Sequence, residues 1–305
     1  MSKRDFISVA GLTPDSLAAL LDSADAFKTG RASQQLAGKT IAMLFQKPSL
    51  RTRVSFDVAI HHLGGHPIYL GPDEVGVGRR EPVEDVARVL SRYVQGIVAR
   101  VFAHDVVVQL ARHAAIPVVN GLSDTEHPCQ ALADLMTIRE RHGRLRDLVI
   151  AYVGDGNNCA ASLGLGAALS GAHYRIASPP DYQLPAAILD AIDRIGRVTG
   201  ASVEVTHNPS AAVAQADAVY TDVWTSMGQE AEAGRRKLAF AHYQVTSELL
   251  ATAKPEAVFL HPLPAHHGEE IAPGMLDHPA SVVFDQAENR LHAQKAVLAA
   301  LFGEA

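Results

Sequence analysis

Ser49-Leu50-Arg51-Thr52-Arg53 sets two hydroxyls and two guanidiniums within five residues. Hydroxyl donors and a guanidinium fork are the groups that hold a phosphate, the fork through paired charge-assisted bonds. The stretch lies between an apolar run, Ile41 to Phe45, and a helical pattern continued by Val54, Phe56, Ala59 and Ile60. Its backbone N–H groups therefore fall at a helix start, where the dipole favours an anion. The competing reading is an N-cap serine followed by solvated arginines, but the same dipole disfavours arginines there unless an anion is present.

Further constellations follow along the chain. In DTEHPCQALADLMTIRE, Asp124, Thr125 or Glu126 caps a helix with Pro128 in its first turn, and His127 and Gln130 stand three residues apart on one face. Such a pair can bond a carbonyl oxygen and an amide hydrogen of one small ligand; a capping histidine with a solvated glutamine is the plain alternative. Tyr152 to Ala160 runs from a strand into Gly-x-Gly-x-x-Cys, yet the next strand ends at Ala177-Ser178-Pro179 without the acid a ribose requires. The glycines instead let the backbone turn tightly at the strand end, exposing Asn157 or Asn158. Asp222 ends a strand before Ser226-Met227-Gly228, and can face an amine or cap a helix. His261-Pro262-Leu263-Pro264 is expected to be stiff and extended, with carbonyls outside any helix that can accept from an NH₂ group. The histidines of HHLGGH and AHH have no thiolate or carboxylate at metal-site spacing, so no metal is expected. A Gly-x-Ser-x-Gly nucleophile elbow is also lacking.

These residues need a frame. The 305 residues are 48% hydrophobic and 20% charged, enough for about two domains. A formal net charge of −6 gives no field for nucleic acid or an anionic membrane, so anion binding must be local. The first residues hold no apolar signal core, and no run nears the roughly 18 apolar residues of a spanning helix, so a cytoplasmic location is expected. Cys129 and Cys159 form no Cys-x-x-Cys pair and are expected to stay reduced.

A capped amphipathic helix is expected from Thr13-Pro14-Asp15 with Leu17, Leu20, Leu21, Ala24 and Phe27, stopped by Gly30. Apolar runs then alternate with helical patterns: residues 41–45, 67–70, 96–100, 117–120, 148–154, 174–178, 203–206, 218–223, 257–261 and 282–284. Short apolar runs between helices are the mark of parallel strands buried on both faces, hence an α/β fold of two doubly wound parallel-sheet domains. Gly143 and the charged RLRD end the helix Gln130 to His142, which places the border between a domain 1–143 and a domain 144–286. The last amphipathic helix, 287–305, needs a surface to pack on.

Taken in order, SLRTR, LGPDEVGVGRREPVEDVARVLSRY, HPCQALAD, GDGNN, DVWTSMGQE, HPLPAHHGEE and QAENRLHAQKA resemble the aspartate/ornithine carbamoyltransferase family over nearly the whole chain. The resemblance implies one domain for carbamoyl phosphate and one for the amino acid, an active site in the cleft between them, the terminal helix packed on the first domain, a homotrimer and no cofactor. It implies that Ser49, Leu50 through its backbone, Arg51 and Thr52 hold the phosphate, and that Arg100 binds phosphate and carbonyl oxygen. His127 would polarise that carbonyl; Gln130 and the carbonyls around Pro262 and Leu263 would hold the carbamoyl NH₂; Arg290 would complete the positive shell. Asn158, Asp222, Ser226 and Met227 correspond to ornithine contacts.

The chemistry so implied is attack by the δ-amine of L-ornithine on the carbamoyl carbon, giving L-citrulline and phosphate. Aspartate, putrescine or N-acylornithine are the other acceptors weighed. His-Pro-Leu-Pro occurs in the aspartate branch too, but DVWTSMGQE offers Asp222 to an amine rather than arginines to a second carboxylate. Pro262, Gly76, Ala161 and His267 depart from the commonest ornithine pattern; Gly76 stands where a glutamine often reaches the neighbouring subunit's phosphate site.

Overall fold

The computed structural model describes residues 3–303 apart from 79 and 227. It comprises two compact units, Met1–Ala133 with Glu288–Ala305, and Asp134–Ala287. The division between these units falls inside the helix Pro128–His142, which contributes its first six residues to one unit and the rest to the other.

In the first unit, β1 (Thr40–Phe45), β2 (His66–Leu70), β3 (Gly96–Arg100) and β4 (Val118–Leu122) form a parallel sheet in the order β2-β1-β3-β4. β1 and β3 are central and buried, which is why they read as unbroken apolar runs, whereas edge strand β2 is only partly covered. The register shifts between Ala99 and Arg100, an irregularity at the carboxyl end of β3 that re-aims the last residue. The helix Pro14–Lys28 has the cap its sequence announces: Thr13 Oγ1 accepts from Ser16 N at 3.2 Å, and Ser16 Oγ accepts from Thr13 N at 2.8 Å. Leu17, Leu21, Ala24 and Phe27 form its buried face.

The second unit holds β5 (Val149–Val153), β6 (His173–Ala177), β7 (Val203–Thr206), β8 (Ala218–Tyr220) and β9 (Val258–Leu260), parallel in the order β7-β6-β5-β8-β9. In both sheets the winding reverses beside one strand, between β1 and β3 in the first and between β5 and β8 in the second. Doubly wound sheets bind ligands outside the carboxyl ends of the strands at such a point. SLRTR follows β1, Arg100 ends β3, the Gly154-Asp155-Gly156 turn follows β5 and Asp222 follows β8.

One expected strand is a helix. Ser281, just before Val282–Phe284, makes a single bridge to Phe259 of β9, and Gln286 N then donates to Val282 O at 2.8 Å and closes a helical turn. The terminal helix accordingly spans Val283–Phe302 rather than starting at 287. Cys129 and Cys159 are free and buried. Among the described residues, no helix is long and apolar enough to cross a membrane.

Candidate active site

In the first unit Ser49 caps the helix Leu50–His62, its Oγ accepting from Thr52 N at 3.2 Å. Thr52 is fully buried and its hydroxyl is a meeting point: Arg290 Nη2 donates to it at 2.8 Å and Arg100 Nη1 at 3.3 Å. Both arginines are nearly inaccessible, 7% exposed for Arg100 and 3% for Arg290. Two guanidiniums converging on a neutral hydroxyl repel one another and face a large desolvation cost, so the place strongly favours an incoming anion. Arg51 lies half-buried on the first turn of the same helix. The sequence cluster divides here, because Arg53 is exposed and stacks over the Tyr69 ring at 3.9 Å, and the Leu50 side chain is 74% exposed, leaving only its backbone at the helix start.

His127 and Gln130 are both buried at the start of Pro128–His142, and Gln130 N donates to His127 O at 3.0 Å. Burial, then Arg290, then Arg100 hold the His127 imidazole well below its ordinary 6.5, so it is neutral at working pH and senses both arginines. Its loop is fixed by Ser123 and by Glu126, whose carboxylate reaches the first residues of the chain. Ser123 N donates to Glu126 O at 2.9 Å, and the buried Glu126 carboxylate accepts from Val9 N at 2.9 Å and Ser8 Oγ at 2.5 Å. Burial pushes the adjacent Cys129 thiol up to about 12, which makes it a packing residue rather than a nucleophile.

In the second unit Asn157, not Asn158, is the organising amide. Its Oδ1 accepts from Cys159 N at 3.0 Å, Ala160 N at 3.1 Å and Tyr152 OH at 3.2 Å, capping the helix Asn158–Ser170, while Nδ2 donates to Asp222 Oδ2 at 2.8 Å. Val223 N donates to Asp222 Oδ1 at 2.8 Å. Among the described residues, buried Asp222 thus meets only neutral donors, and its charge is left for a cationic or polar ligand group. Asn158 is half-buried at the first position of the helix. Gly156 is required by close approach, since a Cβ there would lie 2.4 Å from Gln183 C and Leu184 N.

Asp155 and Arg236 form a buried pair that motif reading passed over. Arg236 Nη1 donates to Asp155 Oδ2 at 2.9 Å and to Trp224 O at 2.8 Å. Burial still pushes the Asp155 carboxyl up to about 7 against the pull of Arg236, with Asp222 and Glu232 adding to the rise. Ser226 N donates to Gln229 Oε1 at 3.0 Å in the loop after Asp222; Met227 lies outside the described residues.

The His261-Pro262-Leu263-Pro264 segment is not extended throughout. Leu263 takes φ +57°, in the left-handed region, and its N–H donates to His261 Nδ1 at 2.9 Å. A residue before proline is steered away from the right-handed helix, and the bond to His261 selects the tight turn instead. Because Nδ1 accepts, the proton of the neutral ring sits on Nε2, which points at Glu270 Oε1, 3.2 Å away. His261 N donates to Gln286 Oε1 at 2.9 Å, and Gln286 Nε2 to Asp134 Oδ1 at 2.6 Å, so buried polar groups pin the turn that presents Pro262 and Leu263. Among the described residues, His266, Glu269 and Glu270 bring possible metal-ligand atoms within 4.8 Å of one another. Glu270 Oε1 is already engaged by His261 Nε2 and by His266 N at 2.5 Å, which makes that carboxylate part of the scaffold.

Residues 4–140 match the family model for the aspartate/ornithine carbamoyltransferase carbamoyl-P binding domain, and residues 146–301 that for the Asp/Orn binding domain. The chain is similar to the ornithine carbamoyltransferase of Acidothermus cellulolyticus, 54% identical over 306 residues, covering 99% of this chain and 97% of that one. It is similar to the anabolic ornithine carbamoyltransferase of Pyrococcus furiosus, 48% identical with 99% and 98% covered. The solved structure of the ornithine carbamoyltransferase from Pyrococcus furiosus superposes with a TM-score of 0.96 at 48% identity, covering 100% of this chain and 98% of that one. That of the Thermus thermophilus enzyme gives 0.89 at 48% identity, with 98% of each chain covered.

Proposed function

The chain belongs to the aspartate/ornithine carbamoyltransferase family, and we propose on that footing that it transfers the carbamoyl group of carbamoyl phosphate to the δ-amine of L-ornithine, yielding L-citrulline and phosphate. The observation that carries the phosphate side is the pair of buried guanidiniums on Thr52 beside a neutral, buried His127. We assign carbamoyl-phosphate binding to residues 1–143 with the terminal helix, and ornithine binding to residues 144–286.

Ser49, the Leu50 backbone, Arg51, Thr52, Arg100 and Arg290 take the phosphate. His127, as a neutral N–H donor, and Arg100 face the carbonyl oxygen on which negative charge grows as the tetrahedral intermediate forms. Gln130 and the carbonyls of Pro262 and Leu263 take the carbamoyl NH₂. Asp222, with Asn158, Ser226 and Met227, receives ornithine. The amine lone pair adds to the carbamoyl carbon, the C–O bond to phosphate breaks, and the amine proton passes to Asp222 or to the departing phosphate. Because the donors are already set on buried side chains, little reorganisation accompanies the change in charge.

The assembly we propose is a homotrimer. In its favour, Leu50 and Val54, on the helix that carries Thr52, are 74% and 50% exposed, apolar area that a second copy would cover. Gly76, in the left-handed conformation with φ +61°, offers no side chain for a contact to a neighbour's phosphate site. A cytoplasmic location accords with two free, buried thiols.

Incubating purified protein with carbamoyl phosphate and, separately, ornithine, aspartate, putrescine and N-acetylornithine tests the reaction. Citrulline formed from ornithine in preference to the other products is the expected result; turnover of another acceptor without citrulline would overturn it.

A further inference from the structure

Arg236 is 5% exposed, and nothing in the proposed chemistry uses it. One guanidinium nitrogen, Nη1, serves two acceptors: Asp155 Oδ2 at 2.9 Å, in the turn after β5, and Trp224 O at 2.8 Å, two residues beyond Asp222. An NH₂ group has one hydrogen for each. The guanidinium carbon lies 4.8 Å from the centre of the Tyr182 ring, and Nε lies 3.5 Å from Glu232 Oε2, an ion-pair distance without a hydrogen bond. The turn held at one end continues into Asn157, whose Nδ2 bonds Asp222 Oδ2 at 2.8 Å. Asp222 is therefore braced from both sides, by Asn157 on its carboxylate and by Arg236 on the backbone that follows it.

Resting on the ornithine reading above, we propose that Arg236 is a positioning residue for the acceptor: by tying the Asp155 turn to the Trp224 carbonyl it sets the place of Asp222 and so the affinity for ornithine, leaving carbamoyl phosphate untouched. A residue that only neutralised Asp155 would have no need of the Trp224 bond, and Trp224 already packs on Phe240, ring centres 5.8 Å apart. Charge balance and loop placement are thus separable roles.

Two variants separate them. In the double variant Asp155→Asn/Arg236→Gln both charges go together and an amide pair can remain, but glutamine is too short to reach Trp224 O. In Arg236→Lys the charge and a donor stay, but the side chain is one bond shorter, so its nitrogen cannot reach Asp155 and Trp224 O together as Nη1 does. Steady-state kinetics on each, with thermal melts, are expected to show KM for ornithine raised about tenfold in the double variant and by a smaller factor in the lysine variant. KM for carbamoyl phosphate should stay within about twofold of wild type in both. An ornithine KM near wild type in the double variant, or an equal rise in both KM values, would overturn the proposal. If the double variant does not fold, the lysine variant alone decides: a rise confined to ornithine supports the role, and no rise or a shared one ends it. Wild-type protein that makes no citrulline would instead defeat the ornithine reading.

Discussion

Arg290 Nη2 donates to the Thr52 hydroxyl at 2.8 Å, although 238 positions separate the two residues in the chain. The terminal helix thereby supplies half of the positive charge around a side chain on the first turn after β1. Arg290→Gln should raise KM for carbamoyl phosphate by about 10- to 100-fold, the range for losing bonds from a charged donor, while KM for ornithine changes little. Initial rates with each substrate varied in turn check this, and equal losses for both substrates would count against the assignment.

His127 gives a pH signature in stability. Its folded imidazole titrates well below 6.5, so below that pH the unfolded chain takes up a proton that the folded chain refuses. The histidine therefore withdraws stability as pH falls below 6.5, at up to about 1.4 kcal/mol per pH unit. Urea melts between pH 7 and 5 should show a shallower loss in His127→Gln than in wild type. The same substitution should lower kcat by about 10²-fold, the usual scale for removing one donor to a developing oxyanion.

Asp222 meets only neutral donors among the described residues, through Asn157 and Val223, which leaves its negative charge for the amino acid. Asp222→Asn keeps the shape and removes the charge. Ornithine KM is expected to rise about tenfold or more with carbamoyl-phosphate binding retained, measured by titration calorimetry of carbamoyl phosphate alongside kinetics. Preserved ornithine affinity would place its ammonium elsewhere.

Much of this arrangement is written locally in the sequence, and the remainder depends on pairing. Thr13 and Ser16, the apolar strands of each sheet and the cap at Ser49 are legible because period, caps and turn residues act within a few positions. Val282–Phe284 misleads because three β-branched and aromatic residues look alike in a strand and in the first turn of a helix, and pairing with β9 stops at Ser281 while Val282 O accepts from Gln286 N. Leu263 misleads because flanking prolines restrict the backbone without revealing that His261 Nδ1 will catch its N–H. The choice between Asn157 and Asn158 is invisible until β5 and β8 are neighbours and bring Asp222 within 2.8 Å of one amide. Asp155 and Arg236, 81 positions apart, carry no spacing signal at all.

Asp155 reverses the sign found for His127. Burial lifts its carboxyl from 3.8 to about 7, despite Arg236 alongside and with Asp222 and Glu232 adding to the rise. Between those values the folded chain keeps a proton that the unfolded chain has released, so this group withdraws stability as pH rises through the window, again at up to about 1.4 kcal/mol per unit. Above pH 7 both states are ionised and the slope ends. Asparagine at 155 cannot titrate, so the stability of wild type relative to Asp155→Asn should fall steadily from pH 4.5 to 7 and then level off. Urea midpoints for both proteins, each corrected with its own m-value, follow the difference directly. A flat difference across that range would mean that Arg236 holds Asp155 ionised throughout, and the buried carboxylate would then act as a permanent anchor rather than a titrating one.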